Sequence, residues 1–257
     1  EYDKINYFQE NGYVIFKNLV PLEVIDNFWN EFEIVRDNDP LLLFSEYGQI
    51  MKGYEIEKSR KQFLRTVNLL SRLPAARELS VKSELMNFIN AFYNQKLSCI
   101  QSLAFSKSSK QSAHSDKFLV SPEYIGDYDR NTLCAAWIAC ENSDESNGAL
   151  EIYPGSHLIE GKPQLANFGD RYQDYSDTLI DYVQKNGCEK DVFRAEKGDV
   201  LLWHGDFVHA GGLPLNPDKT RFSFVCHYAQ AKPKNVLENG GSIFKVEENF
   251  IYQSSSS

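Results

Sequence analysis

Apolar residues recur at helical spacing twice in the first hundred positions. From Pro21, whose fixed φ suits a first helical turn, Leu22, Ile25, Trp29, Phe32 and Val35 or Arg36 mark one stripe of an amphipathic helix. Leu85, Phe88, Ile89 and Phe92 fall at i, i+3, i+4 and i+7 and predict a second helix over about 80–94. A polar helical piece over 2–10 and a short β-type run from Tyr13 to Phe16, separated by Gly12, precede the first. Between 40 and 66, Phe44, Tyr47, Gly48, Gly53, Tyr54 and a cluster of basic residues show no sustained period, so the segment reads as irregular.

From Leu97 onward the period changes. Short β-rich runs bounded by turn residues lie at 98–105, 117–120, 132–140, 149–153, 191–194, 199–203 and 221–229. Strands that follow one another without helices between them predict a sandwich or jelly roll rather than βαβ units. Asn147-Gly148 and Pro154-Gly155 bracket Ala149–Tyr153 as the turns of a hairpin strand. The longest break, 157–190, holds Tyr172, Tyr175, Tyr182 and many acids; it reads as a lid or as a surface excursion, with a helix at 177–185. The pattern predicts one domain over 1–257, with 1–96 as helical support and 97–252 as the β core.

Composition narrows the class. Of 257 residues 42% are hydrophobic and 25% charged, as in globular chains that fold in water. A net charge of -9 argues against nucleic acid and anionic membrane as partners. The longest apolar run, Leu133–Cys140, is far short of the roughly 20 residues of a membrane span. Cys99, Cys134, Cys140, Cys188 and Cys226 are odd in number and without close pairs, which excludes a complete disulfide framework and favours reduced thiols in the cytoplasm. The chain begins at Glu1 rather than Met and ends in four serines, which leaves a removed signal peptide open. The sequence sets no oligomeric state.

The candidate chemistry starts at His114-Ser-Asp116. In extended backbone residues i and i+2 point to one side, so imidazole and carboxylate can meet one ion. Two histidines and one carboxylate on one face of an ion suit Fe(II) and leave three positions free. The third ligand is sought in Gly198-Asp-Val-Leu-Leu-Trp-His204-Gly-Asp-Phe-Val-His209-Ala-Gly-Gly; His209, beside small residues, is favoured over His204. Further on, alternation places Arg221, Ser223, Val225 and His227 on one face of a strand and Phe222, Phe224, Cys226 and Tyr228 on the other. A buried guanidinium needs a carboxylate, so Arg221 with Ser223 is either a seat for a carboxylate ligand or half of a structural salt bridge.

Taken together these features resemble the phytanoyl-CoA dioxygenase family of Fe(II)- and 2-oxoglutarate-dependent oxygenases. The likeness extends to Phe8-Gln-Glu-Asn-Gly12-Tyr-Val-Ile-Phe16 with its Pro-led helix, Trp137-Ile-Ala, Asn147-Gly-Ala-Leu-Glu-Ile-Tyr-Pro-Gly155-Ser-His157 and Gly198-Asp-Val-Leu-Leu-Trp-His204. The resemblance implies a double-stranded β-helix, a cupin-like jelly roll flanked by N-terminal helices. It implies that His114, Asp116 and His209 bind iron. Arg221 and Ser223 would hold the distal carboxylate of 2-oxoglutarate, with Trp137 lining its pocket and His157 structural. Hydroxylation by O2 of a small or medium-sized metabolite, with release of succinate and CO2, is the implied reaction; desaturation and ring closure are variants.

Where some relatives have a hydroxyl residue after the distal histidine, this chain has Ala210-Gly211. Thr132, Gln101 and His227 are then candidates for the cosubstrate's second polar contact. Lys107, Lys110, Lys117 and the 40–66 and 157–190 segments are candidates for the rim. Two other readings stand beside the oxygenase: a non-catalytic, metal-binding jelly-roll sensor or scaffold, and a zinc hydrolase using the same triad.

Overall fold

The computed structural model describes residues 2–46, 49–56, 60, 65–120, 128–231, 237–239, 242–247 and 250–254. Helix α1 (Tyr2–Asn11) stops at Gly12, whose φ of +78° only glycine adopts without strain, and the chain turns into β1 (Tyr13–Phe16). Pro21 then opens α2 (Leu22–Asn38), which buries Ile25, Trp29, Phe32 and Arg36 of the predicted stripe together with Phe28, whereas Leu22 is exposed. The segment from 40 to 66 departs from its irregular reading, because β2 (Leu43–Glu46), β3 (Gln49–Lys52) and β4 (Arg65–Val67) are strands. Their shortness and mixed polarity conceal any period-two alternation. Residues 47–48, 57–59 and 61–64 of that segment lie outside the described residues.

Helices α3 (Pro74–Ser80) and α4 (Ser83–Tyr93) follow, and α4 ends on Asn94 in the left-handed region. Strand β5 (Ser98–Phe105) matches its predicted run, but 117–120 belongs to a single helical turn, α5 (Asp116–Leu119). The short apolar run Phe118–Val120 reads equally well as either element, and the Val120 N–H closes the turn on the Asp116 carbonyl at 2.9 Å. Strands β6 (Tyr128–Ala139) and β7 (Leu150–Ile152) come next, then α6 (Tyr172–Lys185), which starts five residues before the predicted helix. After it come β8 (Asp191–Phe193), β9 (Val200–His204), β10 (His209–Gly211) and β11 (Ser223–Ala231). Strands β12 (Leu237–Asn239), β13 (Ser242–Glu247) and β14 (Phe250–Ser254) continue past the last predicted run.

A large sheet runs β1-β9-β6-β11-β5-β14-β13-β12, with β4 also on β5 and β2 linking β4 to β3. A small sheet runs β10-β7-β8, widened by an antiparallel bridge between His114 and His209. One face of the large sheet packs on the helices: Phe224, Cys226, Tyr228, Ala136 and Ile138 share a core with Phe28, Phe32, Leu85 and Phe88. The other face meets the small sheet through Trp137, Leu201, Trp203 and Val225 against Leu150, Ile152 and Phe193. This is the double-stranded β-helix, and it divides β11 as the alternation predicts. Each fully buried Phe contributes about 1.5–3 kcal/mol of transfer free energy.

All five cysteines are buried and free. Burial pushes the Cys134 and Cys140 thiols well up, so both stay protonated. Among the described residues no helix is long and apolar enough to cross a membrane.

Candidate active site

His114 and His209 meet through their backbones. Each N–H donates to the other's carbonyl at 3.0 Å, and the two rings then lie 4.4 Å apart, centroid to centroid. Strand β10 is placed by its pairing with β7, where His209 faces Ile152. Gly211 is required just beyond it, since a Cβ there would press on Ser109 Oγ and come to 3.0 Å from the Lys110 nitrogen.

Asp116, at the start of α5, completes the group. Its Oδ1 lies 3.7 Å from His114 Nε2 and 3.9 Å from His209 Nε2, and all three side chains are buried. The two imidazoles are oriented from behind: Nδ1 of His114 faces the Ser112 carbonyl at 2.8 Å and Nδ1 of His209 the Phe207 carbonyl at 3.3 Å. A carbonyl only accepts, so each Nδ1 carries the proton and each Nε2 presents a lone pair.

The electrostatics agree with a ligand set. Burial, aided by the neighbouring His209, pushes His114 down to about 3, and burial likewise lowers His209. Burial works against the Asp116 charge, but His227, His209 and His114 outweigh it and hold the carboxyl well below the usual range. Two neutral imidazoles and one carboxylate form a donor set that fits Fe(II).

These side chains open into a cavity of about 330 Å³ whose wall also carries Trp137, Arg221, Arg65, Gln101, His227 and Val120. Arg221 is 2% exposed. Its Nη1 donates to the Gly148 carbonyl at 2.6 Å, and its guanidinium carbon lies 5.7 Å from the centre of the Trp137 ring. Burial lowers its pKa to about 10, an effect opposed by the charge of Glu141, so it remains a cation at neutral pH. Its Nε and the Ser223 Oγ, both buried, have no partner among the described residues. A buried polar atom without a partner is costly, and a carboxylate ligand would satisfy both.

Two contributors escaped the sequence reading. Trp203 lies within the quoted Gly198–His204 stretch, yet only the fold shows its Nε1 donating to Asp116 Oδ2 at 2.7 Å. Arg65 sits in the segment read as irregular. Its Nη2 donates to Gln111 Oε1 at 2.8 Å, its guanidinium lies 5.3 Å from the Phe105 ring centre, and its Nε is unpartnered among the described residues. Gln111 in turn donates to the Tyr172 hydroxyl at 3.3 Å, which ties α6 to the cavity wall. Nothing in the periodicity of 40–66 signals that arginine.

Other candidates fall elsewhere. His204 lies 5.5 Å from the His157 ring, tilted against it, and accepts the Asp206 N–H on Nδ1 at 3.1 Å, away from the ligand group, while His157 bonds the Gln9 carbonyl at 3.0 Å. Thr132 is spent on the Asp129 carbonyl and the Gln230 N–H, so it does not reach the cavity; Gln101 and His227 do. Lys107 donates to the Pro217 carbonyl and Lys117 pairs with Asp206, and neither they nor Lys110 line the wall. Ser45, Ile50 and Arg65 bring the 40–66 segment to it.

The family model for phytanoyl-CoA dioxygenase (PhyH) matches residues 8–221. Peroxisomal phytanoyl-CoA dioxygenases of Bos taurus and Homo sapiens are each 23% identical, over 95% of this chain and 73% of theirs. Among solved structures, the non-heme alpha ketoglutarate dependent carbocyclase SnoK from nogalamycin biosynthesis superposes with a TM-score of 0.68 at 16% identity, covering 99% of this chain and 96% of its own. EctD from S. alaskensis, with 2-oxoglutarate and 5-hydroxyectoine, gives 0.67 at 15% identity over 96% and 80%. At such identities the structures establish a common fold. The family match itself runs from within α1 to Arg221 and so spans both the helical support and the ligand group: the chain belongs to the phytanoyl-CoA dioxygenase family and is a 2-oxoglutarate-dependent non-haem iron dioxygenase.

Proposed function

We propose that this protein hydroxylates a small or medium-sized metabolite, with His114, Asp116 and His209 holding Fe(II), and Arg221, Ser223 and Trp137 holding 2-oxoglutarate. The observation that carries the reading is the buried, unpartnered Nε of Arg221, a residue that lines the same cavity as the three ligands, with the unpartnered Ser223 Oγ two residues on. Bound iron with its cosubstrate supplies O2 activation coupled to oxidative decarboxylation, releasing succinate and CO2. The residues of the chain do the rest.

The two histidines enter the site neutral, so no proton has to leave before the metal binds. Arg221, pinned by Gly148, accepts the distal carboxylate while the Trp137 face beside it excludes water. Arg65 lies close enough to the ligand group to lower the His114 pKa and to be stabilised by Asp116. Such a cation can hold the second carboxylate of the cosubstrate, the contact that Ala210-Gly211 leaves open. The apolar walls around Ile50, Leu103 and Val120 leave room for a substrate of modest size.

A coenzyme A ester, the substrate class in the mammalian relatives' name, is disfavoured: the chain carries -9 overall, and Lys107 and Lys117 are engaged elsewhere. We assign 1–257 to a single catalytic domain and, from its five buried free thiols, to a reducing compartment such as the cytoplasm. Succinate release from 2-oxoglutarate, Fe(II) and O2, screened over a metabolite panel, tests the proposal. Turnover that rises with one panel member supports it, whereas absence of both coupled and uncoupled turnover would favour the non-catalytic metal-binding module.

A further inference from the structure

The two oxygens of Asp116 face different neighbours. Oδ1 faces Nε2 of His114 and of His209. Oδ2 faces away from them: it accepts Trp203 Nε1–H at 2.7 Å and lies 3.4 Å from His227 Nε2. Resting on the iron reading above, we propose that Trp203 and His227 are positioning residues that reserve Oδ2 and thereby make Asp116 a one-oxygen ligand.

The need for such a device follows from counting positions. An octahedral ion offers six. Two imidazoles and one carboxylate oxygen leave three, as a cosubstrate that chelates and an O2 that binds beside it require. A carboxylate chelating through both oxygens would leave only two. An indole N–H donates and never accepts or ligates, so the lone pair that Trp203 engages on Oδ2 is withdrawn from the metal. His227 serves the same oxygen when its proton is on Nε2. Its Nδ1 has no partner among the described residues.

The large sheet builds the clamp. On β6, Ala135 pairs with Trp203 of β9 on one side and with His227 of β11 on the other, so the three stand in one row across the sheet. Cross-strand neighbours present side chains to the same face. The fully buried Ala135 is small enough for the indole and the imidazole to lean over it toward one carboxylate. The Trp203 ring also rests 4.5 Å from that of His209, which fixes its plane. His209 comes from the small sheet and His114 bridges to it, while Asp116 opens α5, so the clamp ties that helical turn to the large sheet.

Titration of the metal-free protein with Co(II), followed by its visible absorption, reads both affinity and coordination geometry without turnover. Trp203→Phe keeps the ring and removes the donor; His227→Leu removes the second contact; His227→Gln restores an N–H. Loss of an outer partner of a ligand lowers metal affinity about 10–100-fold. That loss, with an altered Co(II) spectrum, is expected for Trp203→Phe and His227→Leu, and recovery of most of the affinity for His227→Gln. Ala135→Val, which crowds the row, should shift the spectrum in the same sense. Urea unfolding of each metal-free variant identifies any that fails to fold, and the conservative Trp203→Phe and His227→Gln then decide. Wild-type affinity and spectrum in both Trp203→Phe and His227→Leu would overturn the proposal, whereas a wild type that takes up no Co(II) would overturn the metal reading beneath it.

Discussion

Arg221 donates from Nη1 to the carbonyl oxygen of Gly148 at 2.6 Å, which fixes the guanidinium while its buried Nε has no partner among the described residues. One side of the fork is structural and the other is available. On the proposed function, Arg221→Ala would remove a charged hydrogen bond to the cosubstrate, worth about 1.5–3 kcal/mol. The KM for 2-oxoglutarate in the succinate assay should rise by one to two orders of magnitude. An unchanged KM would show that Arg221 only braces the fold.

Gly148 itself sits at φ +86°, and a Cβ there would come to 2.5 Å from the Gly212 carbonyl oxygen and 2.8 Å from Ser108 Cβ. Backbone strain and a clash with fixed backbone combine, so Gly148→Ala should destabilise the protein by about 1–3 kcal/mol. Because the Arg221 anchor moves with it, the KM for 2-oxoglutarate should rise as well. The urea midpoint and the succinate assay, run on the same preparation, check both effects.

Removal of a ligand should separate from removal of its neighbour. His209→Ala deletes one of the three converging donors and should abolish Fe(II) or Co(II) uptake, measured by equilibrium dialysis. His204→Ala, five residues earlier and packed on His157, should leave uptake intact. The reverse outcome would move the metal to the other histidine.

Acid should weaken the fold through its buried histidines. Burial is the main cause that pushes His204 from its ordinary 6.5 down to about 4, partly opposed by Asp206. Between those values the unfolded chain takes up a proton that the folded chain refuses, so stability from this residue falls as pH drops from about 6.5 to 4 and levels off below. Burial lowers His157 in the same direction. Urea midpoints of the metal-free protein should fall across this window, and His204→Gln should flatten part of the decline. A variant with the wild-type slope would assign the acid sensitivity elsewhere.

The parts of this architecture that rest on periodicity were legible in the sequence: α2, α4 and the alternation along β11, which puts Phe224 and Cys226 on one face and Val225 and His227 on the other, with Arg221 just before the strand. The short strands β2 to β4 were not, since three or four residues of mixed polarity carry no measurable period, and with them Arg65 was missed. The run at 117–120 is ambiguous for a related reason, because a few consecutive apolar residues fit a helical turn as well as a strand. The choice between His204 and His209 needed the backbone pairing of β10, and the bond from Trp203 to Asp116 needed both sheets. Thr132 failed as a cavity residue because its hydroxyl is engaged by the Asp129 carbonyl and the Gln230 N–H.

The pairing of His114 with His209 has a consequence for tolerance to substitution. These two proposed iron ligands, some ninety residues apart, are joined by two reciprocal backbone hydrogen bonds, which depend on no side chain. The excursion from 157 to 190 lies between them in sequence, its helix α6 anchored by Tyr175, Leu179 and Val183 against Ala113, Val208 and Ala210. Substitutions that spare those buried side chains therefore leave the joint between the two histidines untouched, because backbone alone makes it.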